Sequence, residues 1–176
     1  LIFEYNDQNL IIKLISDNAA YSLKYDNQGR LVMKVRIEDD ITSPVYDSTI
    51  YKWSQDGNLL EKKEVNNHWY DIANDYRRYL DQENYEYGSY INPYSTIGLP
   101  DEYKLLKLFL NDLDESFSKN NVVEIRQAHS EEYANNGGNN QFSTITYLFN
   151  VTENEDNLPK RIEGEYASWN LTYEPI

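Results

Sequence analysis

A short unit recurs along this chain and limits what it can fold into. Its clearest copy starts Tyr21-Ser22-Leu23-Lys24-Tyr25-Asp26-Asn27-Gln28-Gly29-Arg30-Leu31. Tyr21, Leu23 and Tyr25 alternate with Ser22 and Lys24. After the turn, Leu31, Met33, Val35 and Ile37 alternate with polar or smaller partners. Period-two patterning on both sides of a turn predicts a β-hairpin with one buried face. Asp26 and Asn27 supply side chains that bond nearby backbone amides, and Gly29 accepts a positive φ without strain.

Three further copies follow the same plan. Thr49 to Leu60 places Trp53 where Tyr25 stands, Gly57 for Gly29 and Leu59 for Leu31. Phe3 to Leu14 opens the chain, with Asn9 at the glycine position. Asparagine is among the residues most tolerant of a left-handed backbone. A looser copy runs from Thr144-Ile145-Thr146-Tyr147-Leu148-Phe149 through Asn154 to Asn157 and on to Leu158-Pro159-Lys160-Arg161-Ile162. Trp169 to Tyr173 reads as a last strand, expected to close the sheet.

Between these copies the pattern changes. Residues 73–92 are polar and tyrosine-rich and read as a strand or two plus a loop. Leu99-Pro100-Asp101-Glu102 has the proline and acidic residues that favour a helix start. Tyr103, Leu106, Phe109, Leu110 and Leu113 follow at helical spacing, which predicts one amphipathic helix near residues 100–115. Val122 to Ile125 resumes strand character, and Asn135 to Asn140 reads as a loop or hairpin tip. No linker splits the chain. The expectation is a single mainly β domain over residues 1–176: an antiparallel meander of hairpins forming one curved sheet or half-barrel, with one helix.

Composition narrows the function classes. The formal net charge is −14, a field that repels phosphate backbones and anionic lipid, so nucleic acid is not an expected partner. The 176 residues contain no cysteine, which excludes a disulfide scaffold, a thiolate metal site and a cysteine nucleophile. No apolar run approaches the roughly 20 residues that a spanning helix needs. The sequence begins at Leu1 inside an apparent strand, so an upstream segment is expected, and an export signal is one form it could take.

The repeat resembles known families. Tyr25-Asp26 and Gly29-Arg30-Leu31 resemble the YD-type repeat of bacterial surface and Rhs-like proteins. A closer resemblance is to envelope lipoproteins of Gram-negative gut anaerobes, from families of unknown function described as porin-like. It is carried by the units at Tyr5, Tyr25 and Trp53, by Tyr85-Glu86-Tyr87-Gly88-Ser89-Tyr90-Ile91-Asn92-Pro93-Tyr94, and by Asn157-Leu158-Pro159-Lys160-Arg161-Ile162. The spacing from Tyr5 to Tyr25 differs from that to Trp53, which argues against a regular toxin-wrapping shell. The resemblance implies export to the periplasm or cell surface and a lipid anchor on an upstream cysteine. It brings no catalytic residues.

The residues themselves suggest little chemistry. His68 and His129 are the only histidines, and no Gly-x-Ser-x-Gly elbow accompanies them. Both are expected to be exposed strand-end residues. Glu153 to Asn157 carries oxygen ligands but lacks the spacing of a calcium loop and reads as a turn. Asp39-Asp40 and Glu131-Glu132 read as solvated strand-end or loop charges. No cofactor or metal is expected. Trp53, Tyr21 and Tyr25 sit at core-face positions of the repeat. The aromatic side chains of Trp69, Tyr70, Tyr85, Tyr87, Tyr90 and Tyr94 exceed what one sheet core must bury and form the candidate ligand-binding set. The resulting expectation is a non-enzymatic binding or structural module with a glycan or envelope-protein ligand. A hydrolase using two carboxylates and a cytosolic β-repeat scaffold are the alternatives.

Overall fold

The computed structural model describes residues 2–15, 19–37, 47–70, 75–92, 118–133, 141–155, 158–165 and 168–170. These form strands β1 (Ile2–Tyr5), β2 (Ile11–Ile15), β3 (Ala20–Tyr25), β4 (Leu31–Ile37), β5 (Ser48–Trp53), β6 (Leu59–Tyr70), β7 (Asp75–Ile91), β8 (Asn120–Tyr133), β9 (Gln141–Leu148), β10 (Asn150–Glu153), β11 (Pro159–Glu163) and β12 (Ser168–Asn170). β1 to β9 lie in one sheet in chain order, and β10 to β12 form a second sheet of three strands. The mainly β, antiparallel meander expected from the hairpin units is therefore the architecture. The helix expected near 100–115 and the loop at Asn135 to Asn140 lie outside the described residues. Among the described residues no helix is long and apolar enough to cross a membrane.

All four copies of the repeat close their turn with the same pair of bonds. Its first residue is Asn6, Asp26, Ser54 or Asn154. The amide of that residue donates to the carbonyl four residues on, at Leu10, Arg30, Asn58 and Leu158, over 2.8–2.9 Å. Its side-chain oxygen accepts the amide of that same later residue at 2.9–3.0 Å in every copy. Asn6 and Asp26 also accept the amides of Gln8 and Gln28. In the first three copies the fourth residue turns left-handed, with φ of 61° at Asn9, 76° at Gly29 and 93° at Gly57. Glycine meets no Cβ penalty there, and asparagine is the usual substitute.

The turn is followed by a bulge that changes which residues are buried. Tyr25 pairs with Leu31, but Lys24 pairs with Met33 and Leu23 with Lys34. Val32 is the extra residue, so Leu31 and Lys34 share the face of Leu23. The same shift follows Tyr5–Ile11 in the first copy and Glu153–Pro159 in the fourth. Ile11 and Leu14, three apart, are accordingly both buried. Simple alternation had grouped Leu31 with Met33, Val35 and Ile37. The bulge keeps only Leu31 on the face of Leu23 and moves the other three to the opposite one, because a single inserted residue inverts a period of two.

That inversion buries a lysine. Lys34 is 6% exposed, paired between Leu23 and Thr49, which are also buried. Its ammonium lies 5.2 Å from the centre of the Tyr21 ring, a cation–π contact. Burial lowers its pKa; the nearby Glu64 opposes that shift and Lys62 adds to it. Burial also pushes the Tyr25 hydroxyl up to about 12.

The two expected ends of the sheet differ from the sequence reading. The strand entering the fourth turn is β10, not the Thr144 to Phe149 segment. β9 stops at Leu148, and Phe149 donates its amide to Val123. The closing strand expected at Trp169 is β12, which pairs with β11 in the smaller sheet and leaves the larger one unclosed. Within residues 73–92, expected as a strand or two plus a loop, Asp75–Ile91 form one continuous strand.

The chain gathers into two compact units. One comprises Leu1–Lys52, Glu61–Glu83 and Gln127–Thr144, and the other Trp53–Leu60, Asn84–Arg126 and Ile145–Ile176. In the first, Ile11, Leu14, Leu23, Leu31, Tyr51 and Val65 are buried; in the second, Leu59, Tyr85 and Pro159.

The turn makes a prediction. Asp26→Ala removes the one oxygen that accepts two amides and the partner of Arg30 Nε at 2.7 Å, and should cost about 1–2 kcal/mol in urea unfolding. Asp26→Asn, which reproduces the residue of copies one and four, should retain most of that stability.

Candidate functional site

The aromatic residues singled out from the sequence divide into three groups. Trp69 and Tyr70 end β6 and Tyr90 lies near the end of β7, but their side chains are outside the described residues, as is Tyr94 altogether. Tyr85 is 4% exposed and belongs to the core. A ring so enclosed packs the sheet and offers no face for stacking on a ligand. Tyr87 is half-buried, and its hydroxyl is committed to a network inside the protein.

That network latches three chain segments of the second unit. Tyr87 Oη donates to the Leu59 carbonyl at 2.6 Å and lies 2.7 Å from Ser118 Oγ. Ser118 Oγ in turn accepts the Leu59 amide at 2.9 Å. Leu59 and Ser118 are fully buried, so each polar group here must find a partner inside the protein. Buried Asn92 donates its side chain to the Ser118 carbonyl and its amide to the Lys119 carbonyl, both at 2.9 Å. Asn58 and Asn120 add a reciprocal pair. The arrangement explains the polar residues at 87, 92 and 118 as structural: they anchor the start of β6, the end of β7 and the approach to β8.

The accessible chemistry lies elsewhere, on one face of β7 and β8 in the first unit. Tyr79, Asp81 and Glu83 alternate along β7, and Gln127, His129 and Glu131 along β8. Alternation projects each trio onto one face. His129 Nδ1 lies 2.6 Å from Asp81 Oδ1, and its Nε2 lies 3.5 Å from Glu131 Oε1. Gln127 Nε2 donates to Glu83 Oε1 at 2.7 Å. The Tyr79 and His129 rings stack with centroids 6.1 Å apart and planes inclined by 27°. The side chains of His129 and Asp81 are 38% and 44% exposed, which leaves the group open to solutes.

The electrostatics follow from this geometry. The Asp81 hydrogen bond raises the imidazole pKa above its ordinary value; partial burial opposes it and the Glu131 carboxylate reinforces it. Protonated, the ring donates from both nitrogens, one to each carboxylate. It also stands between them, and among the described residues no group of three or more acidic or histidine side chains converges as a metal site.

Sequence reading placed His129 at an exposed strand end. It sits within β8, paired across to β7. The signal was present as two acid-and-polar trios at every second residue, Tyr79-x-Asp81-x-Glu83 and Gln127-x-His129-x-Glu131. Without the pairing of the two strands nothing linked the trios. Glu153 to Asn157, read as a turn rather than an ion site, contains the fourth capped turn at Asn154. No protein-family model matches the chain, and no curated protein matches it significantly.

The raised His129 pKa has a sign that can be checked. Stability from this group is fully present below the ordinary histidine pKa and is lost as pH rises through the raised one. Asp81→Asn should move the imidazole titration, followed by NMR, down toward the ordinary value. It should also flatten the pH dependence of stability above the ordinary histidine pKa.

Proposed function

We propose that the protein is a non-enzymatic glycan-binding module, exported to the cell envelope, and that it binds sugar on the exposed β7–β8 face. The observation that carries this reading is the Tyr79–His129 ring pair, flanked at cross-strand spacing by Asp81, Glu83, Gln127 and Glu131. A pyranose has an apolar face of C–H groups, which stacks on flat rings, and a rim of hydroxyls. Carboxylates and amides meet those hydroxyls, and hydrogen bonds to ionised acceptors are the stronger kind. An ionised carboxylate has about four lone-pair sites, so accepting one imidazole proton does not exhaust it. A net charge of −14 favours an uncharged or cationic glycan over an acidic one.

The expectation of an envelope location rests on the resemblance of the Tyr5, Tyr25 and Trp53 units to envelope lipoproteins. Fractionation of cells producing the full gene product should recover the protein with the envelope; recovery in the cytosol would overturn that part of the reading.

Binding is tested by calorimetric titration against a panel of neutral polysaccharides. Saturable binding to at least one is expected, with Tyr79→Ala weakening it by about 5- to 10-fold, as loss of roughly 1 kcal/mol of ring contact implies. Thermal unfolding should be nearly unchanged in that variant. Absence of saturable binding across the panel would refute the proposal.

A further inference from the structure

Among the described residues β9 ends the nine-stranded order, and its composition is unlike that of most edge strands. An edge presents unpaired backbone groups, and proteins usually guard it with charge, proline or bulges. β9 reads Gln141-Phe142-Ser143-Thr144-Ile145-Thr146-Tyr147-Leu148 and carries none of these guards. No Asp, Glu, Lys or Arg occurs from Tyr133 to Thr152, in a chain where charged residues make up 26%. Every residue from Phe142 to Thr146 is exposed, so both faces of this strand are open. Phe142, Ile145 and Leu148 are 73%, 53% and 62% exposed, which includes the two most exposed large apolar side chains of the described residues.

The strand is also nearly palindromic about Ile145. We propose that a second copy of this chain pairs with β9 edge to edge, antiparallel, about a two-fold axis at Ile145. That register sets Phe142 opposite Leu148 of the second copy, Ser143 opposite Tyr147, Thr144 opposite Thr146 and Ile145 opposite itself. Each is a favourable cross-strand combination: aromatic with aliphatic, hydroxyl with hydroxyl, and a β-branched pair at the centre. A two-fold contact requires a self-complementary surface, which the palindrome supplies. The uncharged seam matters because each copy carries −14. Gln141, the first residue of the strand, meets Phe149, so no like charges face one another along the seam. A single-strand seam is smaller than the roughly 1,600 Å² of a standard stable interface and belongs to the size class of weak, transient contacts. Salt, by screening the repulsion between the two copies, strengthens it.

Sedimentation of the chain from micromolar to submillimolar concentration should show a monomer–dimer equilibrium that shifts toward dimer in higher salt. Ile145→Lys places two ammonium groups opposite each other and should weaken dimerisation by about tenfold or more, with unchanged thermal unfolding. The absence of native cysteine permits a register test. Under mild oxidation Ile145→Cys should give a covalent dimer, since opposed Cα atoms in an antiparallel pair lie within disulfide reach. Phe142→Cys alone should not, and Phe142→Cys combined with Leu148→Cys should restore the cross-link. A monomer at all concentrations would overturn the proposal. So would growth beyond the dimer, which would assign β9 to the opposite edge, β1, of the next copy. Equal cross-linking at Phe142 and Ile145 would overturn the register.

Discussion

The side-chain cap at the first residue of each turn is the interaction on which the rest of the fold depends. Asn6, Asp26, Ser54 and Asn154 each place one oxygen on the amide four residues on, beside the backbone bond between the same two positions. The cap holds the chain so that the fourth residue adopts a left-handed conformation and the strand leaves with one residue too many. Where strand pairing is seen on both sides of the turn, a bulge follows. A bulge at the same place in these three hairpins sets which of their side chains face inward. Lys34 illustrates the strength of that constraint. It is held inside although burial disfavours its charge, because Leu31 and Leu23 on the same face are buried and the register cannot slip without exposing them.

The second unit meets a different demand. At the start of β6 the third turn delivers Leu59 to a fully buried position, where both of its backbone groups need partners. Tyr87 and Ser118 supply them, and Asn92 then satisfies the Ser118 carbonyl. In a low-dielectric interior such a network is strong when every member is paired and costly when one is missing. Tyr87 and Asn92 are thereby accounted for as structural elements. The exposed ladder on β7 and β8 in the first unit is built differently. Its charges are paired across strands yet remain open to solvent, which is the condition for recognising a polar solute.

Much of the fold was legible because turn chemistry is local. The Asx or Ser at the first turn position, the Gly or Asn three residues later and the flanking alternation lie within a few residues of each other. Asn9 in place of glycine was readable for that reason, and its φ of 61° agrees. The site was not legible on the same grounds. Tyr79, Asp81 and His129 are ordinary residues in their own strands and acquire meaning only when β7 lies beside β8. Counting aromatic residues instead pointed to Tyr85 and Tyr87, because composition does not distinguish a ring that faces solvent from one that fills a core.

The sequence by itself determined that this chain forms antiparallel hairpins and where four of its turns fall, since these follow from bonds between near neighbours. The tertiary structure alone decided which face of each strand is inside, because that depends on one bulged residue whose parity effect appears only against the partner strand. It also decided that β12 joins a separate sheet, that Tyr87 serves Leu59 and Ser118, and that His129 meets Asp81. Each of these is a pairing between residues distant in sequence, and nothing local specifies the partner. The Tyr-turn-Leu repeat thus announces the hairpins, and the register between them determines what the repeat buries and what it leaves exposed.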